Sequence, residues 1–263
     1  MTSPGTTIDT PEIKLNEGSG YSVFWENTKL KKLNIFIGYD EVQRVAWHTL
    51  THSIIERSTI PIAITPVSIQ HFGAFFKRTR DPKQSNSFSF SRFCVPYLMD
   101  YIGYALFMDC DMLLRVDIAE LLKVIEAQPD KAVYVVKHDY TPSNTVKYLN
   151  TTQYTYPRKN WSSFVLWNCG HEKNKVLDVE FFNKATGLDL HRFTWLEDEE
   201  IGELDVTWNW LVGDYINAPN NVKNIHWTLG GPYFNEFVDA DFADEWFSAN
   251  KSMNYCKQLI DSK

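Results

Sequence analysis

Tyr104-Ala105-Leu106-Phe107-Met108 runs into Asp109-Cys110-Asp111, and Met112-Leu113-Leu114 resumes the apolar run. A short apolar run of this kind reads as a buried strand. Two carboxylates at its end are costly to bury unless they are paired or hold a metal. In an extended chain, alternation points Asp109 and Asp111 to one side and Cys110 to the other. Two hard oxygen ligands on one side suit a divalent cation such as Mn²⁺ or Mg²⁺. From these eleven residues alone, a solvated acidic turn at a strand end is the alternative.

The bulk properties narrow the classes. A chain of 263 residues suits one large domain or two small ones with a sizeable core. A formal net charge of −7 argues against a nucleic-acid coat or a polybasic membrane anchor. An anionic ligand would then need local help from a metal, an arginine or a helix N-terminus. Cys94, Cys110, Cys169 and Cys256 are widely spaced, which predicts buried thiols in a reduced, cytoplasmic protein rather than a disulfide scaffold. No apolar run has the length of a transmembrane segment, and the polar start does not read as a signal peptide. The aromatic content (9 Trp, 13 Tyr, 17 Phe) fills cores and also suits stacking on sugar rings.

Residues 1–25 are expected to be a disordered leader, rich in Thr, Ser, Pro and Gly, and 30–263 a single domain. Strands are predicted at Leu33–Gly38, Pro61–Pro66, Lys131–Lys137, Ser163–Asn168 and Val222–Trp227. Helices are predicted over Glu41–Arg57, with Val42, Val45, Ala46, Leu50 and Ile54 inward, and over Arg92–Tyr101. Another should open on an Asp117…Glu120 capping box and run to Ala127. Alternating strands and helices predict an α/β protein with a Rossmann-like, mostly parallel central sheet flanked by helices. Ligands in such a sheet bind beyond the carboxyl ends of strands, where Gly38-Tyr39-Asp40 and Asp109-Cys110-Asp111 both fall. His226 is the best candidate for a third metal ligand, because Gly230-Gly231 follows it closely and lets backbone approach a bulky ligand.

Arg92-Phe93-Cys94-Val95-Pro96-Tyr97-Leu98, then Leu106-Phe107-Met108-Asp109-Cys110-Asp111, then His226…Gly230-Gly231-Pro232-Tyr233 resemble, in order, the motifs of family 8 glycosyltransferases and their phage and bacterial relatives. The resemblance runs from about Leu33 to Phe234. It implies a GT-A fold, a nucleotide-sugar donor (a UDP-sugar by resemblance) and a glycan or other hydroxyl acceptor. It implies Mn²⁺ or Mg²⁺ held by Asp109, Asp111 and His226. Gly38, Tyr39 and Asp40 match the loop that holds base and ribose, and Arg92 the donor-contacting arginine. Ser162 and Ser163 match a small-residue pair at the donor sugar, and Gly230 and Gly231 the diphosphate loop. Asp198-Glu199-Glu200 resembles the acidic segment below the anomeric carbon, which makes those three the expected catalytic residues.

Two departures stand out. Gly231 occupies the place of an expected lysine, which leaves the diphosphate to the metal, to Arg92 or to Lys77, Arg78 or Arg80. Glu199 replaces a glutamine, so retention is one outcome and the anomeric course stays open. The Tyr156–Trp161 loop, which mixes cations with aromatics, is placed to wall the sugar site. Two other readings compete. In a Mg²⁺-dependent phosphohydrolase the D-x-D usually lies on the first strand. In a non-catalytic, metal-dependent glycan-binding module the pair would hold a structural cation.

Overall fold

A computed structural model of the chain describes residues 32–73, 75–78, 86–139 and 158–255. The expected leader therefore lies outside the described residues, as do Arg80, Cys256 and residues 140–157. In chain order the strands are β1 (Leu33–Gly38), β2 (Ile62–Val67), β3 (Tyr104–Met108), β4 (Met112–Leu114), β5 (Val133–Val135), β6 (Phe164–Asn168), β7 (Ile201–Glu203), β8 (Trp210–Leu211) and β9 (Asn224–His226). Six of them form one sheet in the order β2-β1-β3-β6-β5-β7. Its pairings are parallel except on either side of β6, which runs against its neighbours. The expected mostly parallel α/β sheet is thus present. Strands β1, β3, β5 and β6 are almost wholly buried, as their unbroken apolar runs require.

The remaining strands make a three-stranded sheet, β4-β9-β8. Its own small core gathers Leu113, Trp210, Val212, Ile225, Trp227 and Trp246. The D-x-D is the joint between the two sheets: β3 ends at Met108, and β4 starts at Met112 in antiparallel register with His226. This joint explains the sequence pattern. An apolar run broken by two acids is two strands of two sheets, with the acids in the gap.

The helices are α1 (Arg44–Arg57), α2 (Val95–Leu98), α3 (Glu120–Ala127), α4 (Val179–Lys184), α5 (Gly187–His191) and α6 (Ala243–Met253). Helix α1 follows a 3₁₀ turn, Glu41–Gln43, and packs on β4 and α6. It buries Ala46, Leu50 and Ile54 as expected, but also Thr49 and Ser53. Val42 and Val45 are exposed, against expectation. The two hydroxyls bury cheaply because each donates within the helix, to Val45 O and Leu50 O.

Three further expectations need correction. The Arg92–Tyr101 helix is a 3₁₀ turn, Ser91–Cys94, followed by the single-turn α2, and it stops where Asp100 and Tyr101 take positive φ. The capping box at Asp117 does not form. Asp117 accepts from Ala119 N, Glu120 pairs with Lys223 at 2.9 Å, and α3 starts only at Glu120. The strand expected over Lys131–Lys137 is reduced to Val133–Val135. No helix among the described residues is long and apolar enough to cross a membrane.

Candidate active site

Parallel register brings the two strand ends together. Ile37 of β1 faces Met108 of β3, so Gly38-Tyr39-Asp40 leaves the sheet beside Asp109-Cys110-Asp111. The next strand over reaches the same edge: Met108 pairs with Phe164, and Asp109 N donates to Ser163 O at 2.9 Å. From the second sheet, Trp227 N donates to Asp111 O at 3.0 Å, which sets His226 next to that aspartate. Asp109, Asp111 and His226 each offer a ligand atom, and these atoms lie within 4.8 Å of one another. All three residues are buried. The expected third ligand therefore joins the pair.

The surroundings answer the electrostatic cost of burial. Arg92, itself buried, pairs with Asp109 at 2.8 Å and donates to Ser162 O at 2.9 Å, with its guanidinium over the Phe88 and Phe107 rings. His226 Nε2 stands 3.3 Å from Asp111 Oδ1, while its Nδ1 bonds Asn209 Oδ1 at 2.8 Å. An amide oxygen only accepts, so Nδ1 carries a proton, and the neutral ring presents its lone pair at Nε2. A lone pair and a carboxylate oxygen at that separation are two Lewis bases side by side, an arrangement that a cation resolves. Two carboxylates and one imidazole suit a divalent Mn²⁺ or Mg²⁺. The residues present fit the expected metal.

Around this cluster the loops are closely fitted. A Cβ on Gly38 would fall 2.3 Å from the Phe88 ring, so only glycine lets β1 end there. Asp40 accepts from Val42 N (3.0 Å) and Ser87 N (2.9 Å), which ties the first loop to the Ser87 segment. The Tyr39 ring packs edge-on against Trp47. Cys110 is fully buried in the bend between β3 and β4, and its Sγ donates to Gln43 Oε1. Burial and then the Asp111 and Asp109 charges push its thiol well above the ordinary range, so it stays protonated. In the late loop Gly230 sits at φ +145, where a Cβ would also strike Phe237 at 2.4 Å.

Several site residues had no signal in the sequence. Asn209 and His138 are buried here, and so is Gln43. His138 bonds Asn209 through Nε2 and Tyr215 Oη through Nδ1 (2.7 Å). His191 holds Ser162 Oγ through Nδ1 at 2.7 Å. Burial lowers both histidines from 6.5 to about 3, helped by His226 for His138 and by Arg92 for His191. Burial, then the charges of Asp214 and Asp139, raises the Tyr215 hydroxyl to about 12.

The acidic segment Asp198-Glu199-Glu200 is not brought to this cluster. Ile201 is level with Val133, Val133 with Trp167, and Trp167 with Ala105, so the segment precedes β7 at the amino end of the parallel strands. Four residues of rise and three strand spacings put it about 20 Å from Asp109. It forms an exposed 3₁₀ turn in which Asp198 pairs with Arg158 and Glu200 with Lys173. What reaches the cluster from β7 is the segment after the strand, through Asn209.

The basic candidates divide in the same way. Arg78 lies 4.0 Å over the Phe90 ring and donates to Phe182 O and Ala185 O, near the end of α4. Lys77 is exposed, with its amide on Asn183. Among the described residues, Arg92 is the arginine that pairs with the cluster, through Asp109. Of the Tyr156–Trp161 loop, Arg158–Trp161 are described, and Lys159 is buried there, three residues before Ser162.

The architecture matches solved glycosyltransferases. WbbM, a bifunctional glycosyltransferase, superposes with TM-score 0.60 at 16% identity, over 84% of this chain and 50% of that one. The chain thus spans half the length of WbbM. Galactosyltransferase LgtC matches with TM-score 0.54 at 11% identity, over 86% of this chain and 98% of LgtC. GlyE of Streptococcus pneumoniae TIGR4 matches with TM-score 0.54 at 14% identity, over 84% of this chain and 60% of GlyE. The fold is GT-A, as the family 8 resemblance implied. No protein-family model matches the chain. Protein CDI of Arabidopsis thaliana is 45% identical over 239 residues, 87% of this chain and 90% of that protein. By that identity and coverage, the chain belongs to the family of Protein CDI, a family built here on the GT-A glycosyltransferase fold.

Proposed function

We propose that this protein is a metal-dependent glycosyltransferase that moves a sugar from a nucleoside-diphosphate sugar, a UDP-sugar by resemblance, to a hydroxyl of a glycan or other acceptor. The observation that carries the reading is the buried cluster of Asp109, Asp111 and His226, with ligand atoms within 4.8 Å, at the carboxyl edge of a GT-A sheet. Asp109, Asp111 and His226 would hold Mn²⁺ or Mg²⁺. When bound, that ion supplies a Lewis acid for the charge that builds on a departing diphosphate.

The chain's own groups do the remaining work. Arg92 keeps the Asp109 carboxylate oriented and ties it to the Ser162 carbonyl, so the floor of the site is one rigid piece. Gly38-Tyr39-Asp40 supplies the wall for base and ribose, with Asp40 fixed by two backbone amides. Ser162 and Ser163 line the sugar side. Gly230 and Gly231 give backbone close access to phosphate. Asp198, Glu199 and Glu200 have no part in this reading, because the register keeps them at the other end of the sheet.

A panel of nucleotide sugars, assayed for hydrolysis and for binding with Mn²⁺ and with EDTA, tests it. The expected result is metal-dependent affinity for one nucleoside diphosphate and slow hydrolysis of its sugar. Tight, metal-independent glycan binding without nucleotide affinity would make the protein a glycan-binding module instead. Hydrolysis of the P–O–P bond, releasing nucleoside monophosphate and sugar phosphate, would favour a phosphohydrolase.

A further inference from the structure

Asn209 lies fully buried between the two sheets, and its amide meets three partners. Its Oδ1 is 2.8 Å from His226 Nδ1, and its Nδ2 is 2.9 Å from Ser163 Oγ and 3.0 Å from His138 Nε2. Which end of the amide faces which partner follows from proton counting. Ser163 has one hydroxyl proton, and it goes to Asn160 O at 2.6 Å, because a carbonyl cannot donate. The Asn209 atom at Ser163 Oγ must therefore be the donor, which turns the amide oxygen toward His226. His226 Nδ1 must then carry a proton, so in the neutral ring Nε2 is the nitrogen left bare. The second amide proton goes to His138 Nε2, so His138 donates through Nδ1 to Tyr215 Oη.

We infer that Asn209 is the positioning residue of the candidate metal site, fixing the tautomer of His226 so that Nε2 faces Asp111 as a ligand. The direction is set from outside the cluster, by the Asn160–Ser163 turn at the start of β6. One buried amide thereby couples the turn under the donor sugar to the metal-competent imidazole. Metal-bound histidines are commonly held through the other ring nitrogen, and loss of such a partner typically weakens metal affinity or activity about 10–100-fold. The inference rests on the metal-dependent reading for its purpose, but its geometry does not need an ion.

Two measurements test it. Long-range ¹H–¹⁵N spectra of metal-free protein labelled in histidine, with His226 assigned by its loss in His226→Gln, should show Nδ1 protonated and Nε2 bare. A neutral ring with its proton on Nε2 and Nδ1 bare overturns the inference, whatever the protein binds. Titration with Mn²⁺ followed by electron paramagnetic resonance should show Asn209→Leu weakened about 10–100-fold. Asn209→Asp, which keeps an acceptor at His226 and lets Ser163 and His138 turn their protons toward it, should stay within about 3-fold. Equal Mn²⁺ affinity in Asn209→Leu and wild type overturns the positioning role. If wild type itself binds no Mn²⁺, the metal-dependent reading falls while the tautomer result still decides the geometry. If Asn209→Leu does not fold, the spectra of wild type and Asn209→Asp carry the test.

Discussion

Two acidic clusters sit at opposite ends of one sheet, and they share little beyond charge. At the carboxyl end Asp109 and Asp111 are buried, backed by Arg92, and joined by a histidine whose outer nitrogen is already committed to Asn209. At the amino end Asp198, Glu199 and Glu200 form a turn in which the Asp198 side chain is 75% exposed and the partners are surface cations. Burying a carboxylate costs several kcal/mol unless it is answered, whereas a solvated one costs almost nothing. The first cluster therefore exists only because the surrounding residues support it, while the second needs no support. Three adjacent acids are a weaker mark of chemistry than two with an organised second row.

The largest expected effects fall on the buried cluster. Asp111→Ala should abolish Mn²⁺-dependent nucleotide-sugar binding, a loss of about 100-fold or more read by calorimetry, since it removes a direct ligand where even outer partners cost 10–100-fold. Unchanged affinity would end the distinction between the two ends. Arg92→Ala leaves Asp109 buried without its ion-pair partner and should destabilise the fold by about 3–5 kcal/mol in urea unfolding. A cost near that of a surface pair, about 0–1 kcal/mol, would mean that water already reaches Asp109.

How much of this was legible in the sequence follows from how local each signal is. The D-x-D, the β1 loop and the late glycines are short patterns, each tied to a strand end, and parallel register then brings them together. Asn209 carries no such mark. Its meaning arises from Ser163 and His226, 46 and 17 residues away, and only the fold joins them. The acidic segment shows the opposite failure. Asp198-Glu199-Glu200 resembles a family motif, but the motif's place depends on which end of β7 it occupies, and only the ladder reveals that. The Glu41–Arg57 segment adds a smaller case: Val42 and Val45 fit the apolar period but are exposed, whereas Thr49 and Ser53, whose hydroxyls bond their own helix, are buried.

Acid should separate the two ends next. His138 and His191 titrate at 6.5 when the chain is unfolded and at about 3 when folded. Between those values the unfolded chain binds more protons, so stability falls as pH drops from about 6.5 toward 3. By pH 5 each histidine should cost about 2 kcal/mol, seen as a lower urea midpoint than at pH 7. His191→Gln should remove part of that slope. Glu200 behaves otherwise: the Glu197 amide and then Lys173 hold its carboxyl below 4.5, so its contribution is lost only below that value. A protein equally stable at pH 7 and pH 5 would mean that neither buried histidine is held neutral.

The smallest effect should come from Glu199→Gln, which restores the amide expected from the family motif. Glu199 is exposed, and Lys131 Nζ bonds its backbone carbonyl rather than its carboxylate, so the substitution leaves that contact in place. Surface changes of this kind usually shift stability by less than about 0.5 kcal/mol. Nucleotide-sugar affinity and turnover should stay within about 2-fold, because the turn stands about 20 Å from Asp109 by strand geometry. The measurement is a steady-state comparison with wild type at saturating Mn²⁺. A turnover loss above tenfold would bring the acidic turn back into the chemistry, which its place in the ladder does not allow without a movement of β7 against β5.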